Sequence, residues 1–211
     1  MTVSWEMERR DADELAALGT ATLGESGATG LNGAIRPMWH NAFFAGPAFT
    51  VACAAADNLA IHQGVAVAPR GSVLAVSLAD STQRGYWGEV LTIAAETAGI
   101  VALVIDGSVR DLSALERHKF PVFARGVALP GATKHGPGSV GQPIVLGGVI
   151  IDTGDWVVGD ADGVVAIKAA DIAACLEAAR ERAAKEARFF EQLRAGATTV
   201  ELLGLDVSSI G

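Results

Sequence analysis

Cysteine is nearly missing from this chain, with Cys53 and Cys175 the only two in 211 residues. Both lie in apolar or alanine-rich segments, which excludes a disulfide scaffold and makes a reducing cytoplasm the expected setting. Basic residues are also scarce. Sixteen Lys and Arg face 24 Asp and Glu, a net charge of −8, which argues against non-specific nucleic-acid binding. No apolar run reaches the roughly 18–20 residues of a membrane span. The charged opening MTVSWEMERRDADELAALG carries no apolar core before a small-residue cleavage site, so no secretory signal is expected.

Several catalytic signatures are missing as well. The sequence contains no GxSxG elbow, no HExxH, no CxxC pair and no phosphate-loop lysine. GATKHG (131–136) has glycines and a lysine but not the spacing that cradles phosphate. His40, His62, His118 and His135 are scattered without metal-ligand spacing, which argues against a zinc site. The strand at 72–78 leads into LADSTQRGYWG, not into a dinucleotide-binding glycine turn.

What is present is a large apolar fraction, 50% of residues, enough for a sizeable core in one domain over 1–211. RDADELAAL (10–18) and the stretch after Thr22 read as two short helices, and AFFAGPAFTVACA (42–54) as an extended segment. Asp57 or Asn58 is placed to cap NLAIHQGVAVA, a helix that Pro69 and Gly71 stop. SVLAVSL (72–78) reads as a buried strand, WGEVLTIAAETAG (87–99) as a helix ending at Gly99, and IVALVID (100–106) as a parallel-sheet strand. DLSALERH opens a short helix at Asp111, and FPVFARG returns as a strand. This rhythm predicts an α/β fold. A glycine- and proline-rich excursion (126–143) follows, then short antiparallel strands (144–167) with turns at DTGD and DADG. A long helix at about 169–194 closes the chain, and its alanine-rich stripe is suited to a sheet or to a partner subunit.

Polar residues gather at the ends of two of these strands, in GYWGEV (85–90) and DGSVRDL (106–112). Ligands bind at the carboxyl ends of strands in open parallel sheets. If the two strands are neighbours, Glu89, Arg110 and Asp111 share one crevice. Gly88 and Glu89 also begin a helix, whose free N–H groups favour an anion. An arginine, a hard-cation carboxylate and such a helix start suit a carboxylate substrate on Mg²⁺ or Mn²⁺. A plainer reading stays open beside it, with Asp111 capping its own helix and Arg110 in a surface ion pair.

The segments DNLAIHQGVAVAPRGSVLAV, WGEVLTIAAETAGIVALVIDGSVRDLSAL, FPVFARG and GDWVVGDADGVVAI resemble the RraA-like family, over about residues 20–204. That family includes 4-hydroxy-4-methyl-2-oxoglutarate/4-carboxy-4-hydroxy-2-oxoadipate aldolases and regulators of ribonuclease activity. The resemblance implies a single swivelling α/β/α domain with a long C-terminal helix, in trimers or hexamers, with 170–211 at a subunit interface. It further implies a metal-dependent (class II) pyruvate aldolase, a carbon–carbon lyase acting on a small 2-oxo acid, with oxaloacetate decarboxylation as a side activity. In the aldolases an acidic residue is followed after twenty residues by Arg-Asp, as Glu89 is followed here by Arg110-Asp111. By that match Asp111 is the direct ligand of Mg²⁺ or Mn²⁺, and Arg110 binds substrate and stabilises charge near its keto group. The backbone of Gly88, Glu89, Val90 and Leu91 would hold the substrate carboxylate. Glu25 and Glu186 would enter from a neighbouring subunit.

Two departures bear on the substrate. Glu89 stands where many aldolases have Asp, and SLADSTQ (77–83) lacks the aspartate and paired glycines of relatives. Other polar residues have simpler readings: His62 orients its helix, Trp87 packs, Asp106 bonds the Arg110 turn, and Asp160 and Asp162 form a turn. Most of the charged run 177–188 reads as a solvated helix face. Lys134 and Lys168 are not expected to form a Schiff base. Besides the aldolase, two readings remain: a non-catalytic regulator that binds a ribonuclease, and a lyase or hydrolase for another carboxylated substrate at the same site.

Overall fold

A computed structural model describes residues 5–79 and 83–210. The central sheet is built on one long strand. The apolar stretch predicted as extended forms Phe44–Cys53, whose residues alternate between buried and half-buried as the two faces of a pleated strand require, apart from the adjacent buried pair Thr50 and Val51.

In chain order the elements are a helix Trp5–Gly24 (α1), the two-residue strands Thr29–Gly30 (β1) and Arg36–Pro37 (β2), and the strand Phe44–Cys53 (β3). Next come Leu59–Val67 (α2), Val73–Leu78 (β4), Glu89–Ala98 (α3), Ala102–Ile105 (β5), Ser108–Val109 (β6), Leu112–His118 (α4) and Val122–Ala124 (β7). Gly126–Val127 (β8), Gly138–Val140 (β9), Ile144–Leu146 (β10), Val149–Ile151 (β11), Trp156–Asp160 (β12) and Gly163–Ile167 (β13) follow, before Ile172–Arg194 (α5) and Thr199–Leu203 (α6). The strand order β1-β13-β12-β3-β4-β5-β7-β2 makes the main sheet, with β9 paired to β3. Neighbours β3, β4, β5 and β7 run parallel and the remaining pairs of this sheet antiparallel. This is the expected mixed α/β fold with a long C-terminal helix.

Three apolar clusters hold the sheet. Helices α2, α3 and α4 cover one face, where Ile61, Leu91 and Leu115 meet Val51, Leu74 and Leu103. Hairpin β10–β11 covers the other face through Ile144, Leu146 and Ile151, beside an edge-to-face Phe44–Phe123 pair. Helices α1 and α5 pack on β12 and β13 through Leu15, Leu23, Leu176 and Ala179. Fully burying one such aliphatic side chain is worth about 1.5–3 kcal/mol. Gly64 lets α2 approach β3, since a Cβ there would stand 2.7 Å from Val51 Cγ2.

Several boundaries move from the expected ones. The two N-terminal helices join as α1 across a break at Gly19 (φ 78°), directly after the expected end of the first at Leu18, and the second begins before Thr22. The last long helix begins at Ile172, after a turn in which Asp171 N–H donates to Lys168 O at 2.8 Å. Gly99, in the left-handed region at φ 82°, ends α3 where predicted. Both expected turns form: Asp155 accepts from Asp152 N–H and Asp160 from Asp162 N–H, each at 2.9 Å. Part of the 77–83 loop, residues 80–82, lies outside the described residues. No described helix is long and apolar enough to cross a membrane.

Candidate active site

Parallel pairing sets Val76 of β4 beside Ile105 of β5, so the loops leaving these two strands emerge side by side. β7 lies on the far side of β5 and sends its own loop to the same end of the sheet. Backbone bonds stitch the three loops together. Tyr86 N–H donates to Ser108 O at 3.0 Å, Arg110 N–H to Trp87 O at 2.9 Å, Ala128 N–H to Val109 O at 3.0 Å and Gly85 N–H to Pro130 O at 2.8 Å.

These loops enclose a cleft of about 280 Å³, lined among others by Gly88, Val90, Leu91, Arg110 and Asp111. Asp111 has positive φ (61°), which Asp tolerates better than most residues because its short polar side chain bonds locally. It stands at the N-cap of α4, yet its side chain makes no capping bond there. Instead Oδ2 accepts the backbone N–H of Glu89 at 3.1 Å and lies 3.8 Å from Arg110 Nε. The side chains of Arg110 and Asp111 are each close to half exposed. A carboxylate that leaves its own helix uncapped does not fit the plainer capping reading.

A Cβ at Gly88 would fall 2.3 Å from Asp111 Oδ2, so glycine there leaves that carboxylate in place. Trp87 packs as expected: it is buried, stacks on Phe120 at 6.0 Å, and donates from Nε1 to Thr92 Oγ1 at 2.8 Å. Thr92 N–H is the first of α3 to close on a carbonyl, Gly88 O at 3.1 Å. The N–H groups before it belong to the open helix start, which favours an anion.

Of the other sequence candidates, Glu89 contributes its backbone N–H, while its carboxylate turns from the cleft to Arg117 (3.3 Å) and His118 (3.5 Å). Glu25 and Glu186 do not line this cleft either. Arg182 holds both, Glu186 at 3.0 Å. Asp106 does not bond the Arg110 turn. It pairs with Arg125 and accepts from Gly147 N–H at 3.3 Å. Lys168 is bound to Asp155 (2.7 Å) and Asp152 (2.9 Å).

Asn58, His62 and Lys134 also line the cleft, although the sequence reading gave none of them a place in the site. Buried Asp57 brings them there. Its carboxylate accepts from Leu59 N–H (2.8 Å) at the start of α2, and from Thr133 Oγ1 (2.7 Å) and His135 N–H (2.8 Å). Burial alone would raise the Asp57 pKa, but these bonds and one from Gly136 N–H outweigh it and hold the carboxyl well below its ordinary value. The clamp straps 133–136 to α2, which sets Lys134 against the cleft. His62 is held below its ordinary pKa, first by burial and then by the charge of Lys134.

Asn58 donates from Nδ2 to Tyr86 O at 2.8 Å, while its Oδ1 and the Nε2 of His62 are buried without a hydrogen-bond partner among the described residues. A buried polar atom left unpaired costs about 1–3 kcal/mol. Buried polar atoms of this kind in native proteins are satisfied by ordered water or a bound group.

A family model described as RraA-like (Aldolase/RraA) matches residues 10–166. A protein of Halalkalibacterium halodurans, provisionally named a 4-hydroxy-4-methyl-2-oxoglutarate aldolase, is 36% identical over 160 residues, 76% of each chain. Among solved structures, an uncharacterized protein from Pseudomonas syringae pv. tomato superposes with a TM-score of 0.79 at 28% identity, covering 92% of this chain and 96% of its own. The RNA-processing inhibitor RraA of Thermus thermophilus superposes with a TM-score of 0.64 at 24% identity, covering 71% and 92%, and shows the shared fold alone. With the family model and the 36% identical relative spanning most of the sequence, the chain belongs to the RraA-like family.

Proposed function

We propose that this protein is a divalent-metal-dependent lyase that cleaves a 4-hydroxy-2-oxo dicarboxylic acid, such as 4-hydroxy-4-methyl-2-oxoglutarate, and releases pyruvate. Decarboxylation of oxaloacetate is proposed as a second activity through the same charge-stabilising site. The observation that carries the reading is the charge arrangement of the cleft. In a chain of net charge −8, its lining brings Arg110 and Lys134 together with one carboxylate, Asp111, at the open start of α3. That local positive potential suits a small dianion.

The donor set fits a hard cation. No group of three or more His, Cys, Asp or Glu side chains gathers among the described residues, so no all-protein cage forms. Asp111 offers a half-exposed carboxylate whose Oδ1 meets no donor among the described residues. One carboxylate completed by water and substrate oxygens is a common mount for Mg²⁺ or Mn²⁺. Such a cation supplies Lewis acidity for the negative charge that grows on the keto oxygen.

The chain's own groups do the rest. Arg110 places its guanidinium beside that oxygen, an electrostatic contribution strongest when charge develops. The N–H groups of Gly88, Val90 and Leu91 receive the C1 carboxylate, while that of Glu89 stays on Asp111 Oδ2. Lys134 faces the second carboxylate. As the C3–C4 bond breaks and the C4 oxygen becomes a carbonyl, the C4 hydroxyl proton passes to a water at the cleft mouth, held by Glu89 with Glu25 and Glu186 of a neighbouring subunit, and a proton from that water goes to C3 to complete pyruvate. The exposed Glu89–Arg117 pair is worth about 0–1 kcal/mol, so turning that carboxylate toward the water costs little. Val90 and Leu129, 79% and 80% exposed, are apolar surface that a neighbouring subunit of a trimer or hexamer would cover.

The test is pyruvate release from 4-hydroxy-4-methyl-2-oxoglutarate, with and without Mg²⁺ or Mn²⁺. Metal-dependent release supports the reading. No release from any 4-hydroxy-2-oxo acid overturns it and favours a binding role, such as regulation of a ribonuclease.

A further inference from the structure

Thr92 lies one turn into α3 and is fully buried, so it meets no ligand. Its hydroxyl accepts from Trp87 Nε1 at 2.8 Å and donates to Gly88 O at 3.2 Å, and its N–H closes on the same carbonyl at 3.1 Å. A threonine that bonds back to a carbonyl four residues earlier is common in helices. Here that carbonyl belongs to the N-cap, and the N-cap is a glycine, with no side chain to fix the freest of backbones. The peptide that joins Gly88 to Glu89 is planar, with its oxygen and its hydrogen on opposite sides. Thr92 holds the oxygen, and Asp111 Oδ2 takes the hydrogen across 3.1 Å. A single file of hydrogen bonds therefore runs from the Trp87 indole through the Thr92 hydroxyl and this peptide to the carboxylate of Asp111. All its donors point the same way, so each bond polarises the next.

We propose that Thr92 is a positioning residue, which fixes the Gly88–Glu89 peptide and through it the place of the Asp111 carboxylate. The origin of the file is anchored. Trp87 stacks on Phe120, and its own carbonyl accepts from Arg110 N–H at 2.9 Å. Gly88 in turn lies against Arg110, where an added Cβ would stand 3.2 Å from Cγ. Without the hydroxyl, Gly88 O keeps only the N–H bond that any helix start supplies, and the indole N–H is left buried and unpaired. A rotation at Gly88 then withdraws the Glu89 N–H from Asp111.

This role rests on the proposed lyase only for its effect on rate, and the experiment reads the two apart. Solvent exchange of the Glu89 amide is followed by NMR without added metal, and kcat by pyruvate release with Mg²⁺. Thr92→Val keeps the shape of the side chain and removes the hydroxyl. It should speed Glu89 exchange at least about tenfold relative to the Ala95 amide of the same helix, as the bond to Asp111 is lost. In the same variant kcat should fall at least about tenfold, the cost of a misplaced catalytic group. Thr92→Ser restores the hydroxyl and should bring both readings within about threefold of the unaltered protein. A merely structural threonine would raise exchange at Glu89 and Ala95 alike and leave kcat intact wherever the protein is folded. Either of those results, or Glu89 exchange that Thr92→Val leaves unchanged, overturns the proposal. Should Thr92→Val fail to fold, Trp87→Phe and Trp87→Phe/Thr92→Val give the same comparison with no buried donor left over. Selective exchange at Glu89 with no pyruvate release from the unaltered protein leaves the role of Thr92 standing and refutes the lyase. Pyruvate release with no selective change at Glu89 does the reverse.

Discussion

Asp111 Oδ2 accepts the backbone N–H of Glu89 at 3.1 Å, which ties the loop after β5 to the first turn of the helix after β4. The bond joins residues 22 apart in sequence and holds the carboxylate beside the cleft instead of on its own helix, α4.

Gly88→Ala should be tolerated by the fold and not by the site. Its Cβ would fall 2.3 Å from Asp111 Oδ2, the mobile end of a half-exposed side chain, so the carboxylate shifts while the core stays in place. A misplacement of this size costs about 10²-fold in rate. Unchanged melting with a matching fall in kcat is the expected pair of results, read from thermal denaturation and pyruvate release.

Arg110→Lys keeps the charge and loses the planar fork. The side chain of Arg110 runs past Gly85, where a Cβ would stand 3.0 Å from Arg110 Cδ, and lies with Nη1 3.6 Å from the Cβ position of Gly131. A lysine ammonium on a shorter, flexible stem does not fill that channel. We expect kcat/KM to drop about 10²–10³-fold, as for removal of one preorganised donor.

Much of this arrangement is legible in sequence, and the parts that are not have a common cause. The strands 72–78 and 100–106 announce themselves by apolar composition, and Arg110-Asp111 by its place at a strand end. Asn58, His62 and Lys134 do not. They reach the cleft because Asp57 clamps residues 133–136 to α2 across more than seventy residues, and no local pattern records such a contact. The side chain of Glu89 is a similar case: its spacing from Arg110 is visible, but its pairing with Arg117 depends on how α3 and α4 pack. The first helix ends at Leu18 as its sequence suggests, but helical periodicity does not show what the positive φ of Gly19 does there. Gly19 turns the chain so that Thr20 donates to Asp160 through its N–H (2.8 Å) and its hydroxyl (2.6 Å).

The Asp57 clamp gives a pH dependence with a definite sign. The folded-state pKa lies below the unfolded value of about 3.9, so the carboxylate's stabilisation is complete above that value and is lost as pH falls through the acid range. Asp57→Asn leaves the N–H and hydroxyl donors with a poorer acceptor and should lower stability by about 1–3 kcal/mol at neutral pH. The difference between the two proteins should shrink below about pH 4, measured by urea unfolding across pH.

Neither cysteine should react in the folded protein. Burial pushes the Cys53 thiol up to about 12, and burial also raises Cys175, a residue of α5 in the cluster with α1, β12 and β13. Thiolate is the reactive form, so a disulfide-exchange reagent should label neither residue at pH 8 and both after denaturation. Rapid labelling of the native protein would contradict the packing described.

The central claim is that Asp111 holds a divalent ion beside Arg110, and the direct measurement is Mn²⁺ binding followed by electron paramagnetic resonance, with pyruvate present. Asp111→Asn keeps an oxygen to accept the Glu89 N–H, so the loops should stay in place while the ligand charge is removed. The account predicts Mn²⁺ binding to the unaltered protein and a loss of at least about 10²-fold in Asp111→Asn, more than substitutions outside a metal's ligand shell cause. Equal Mn²⁺ affinity in the two proteins would contradict it.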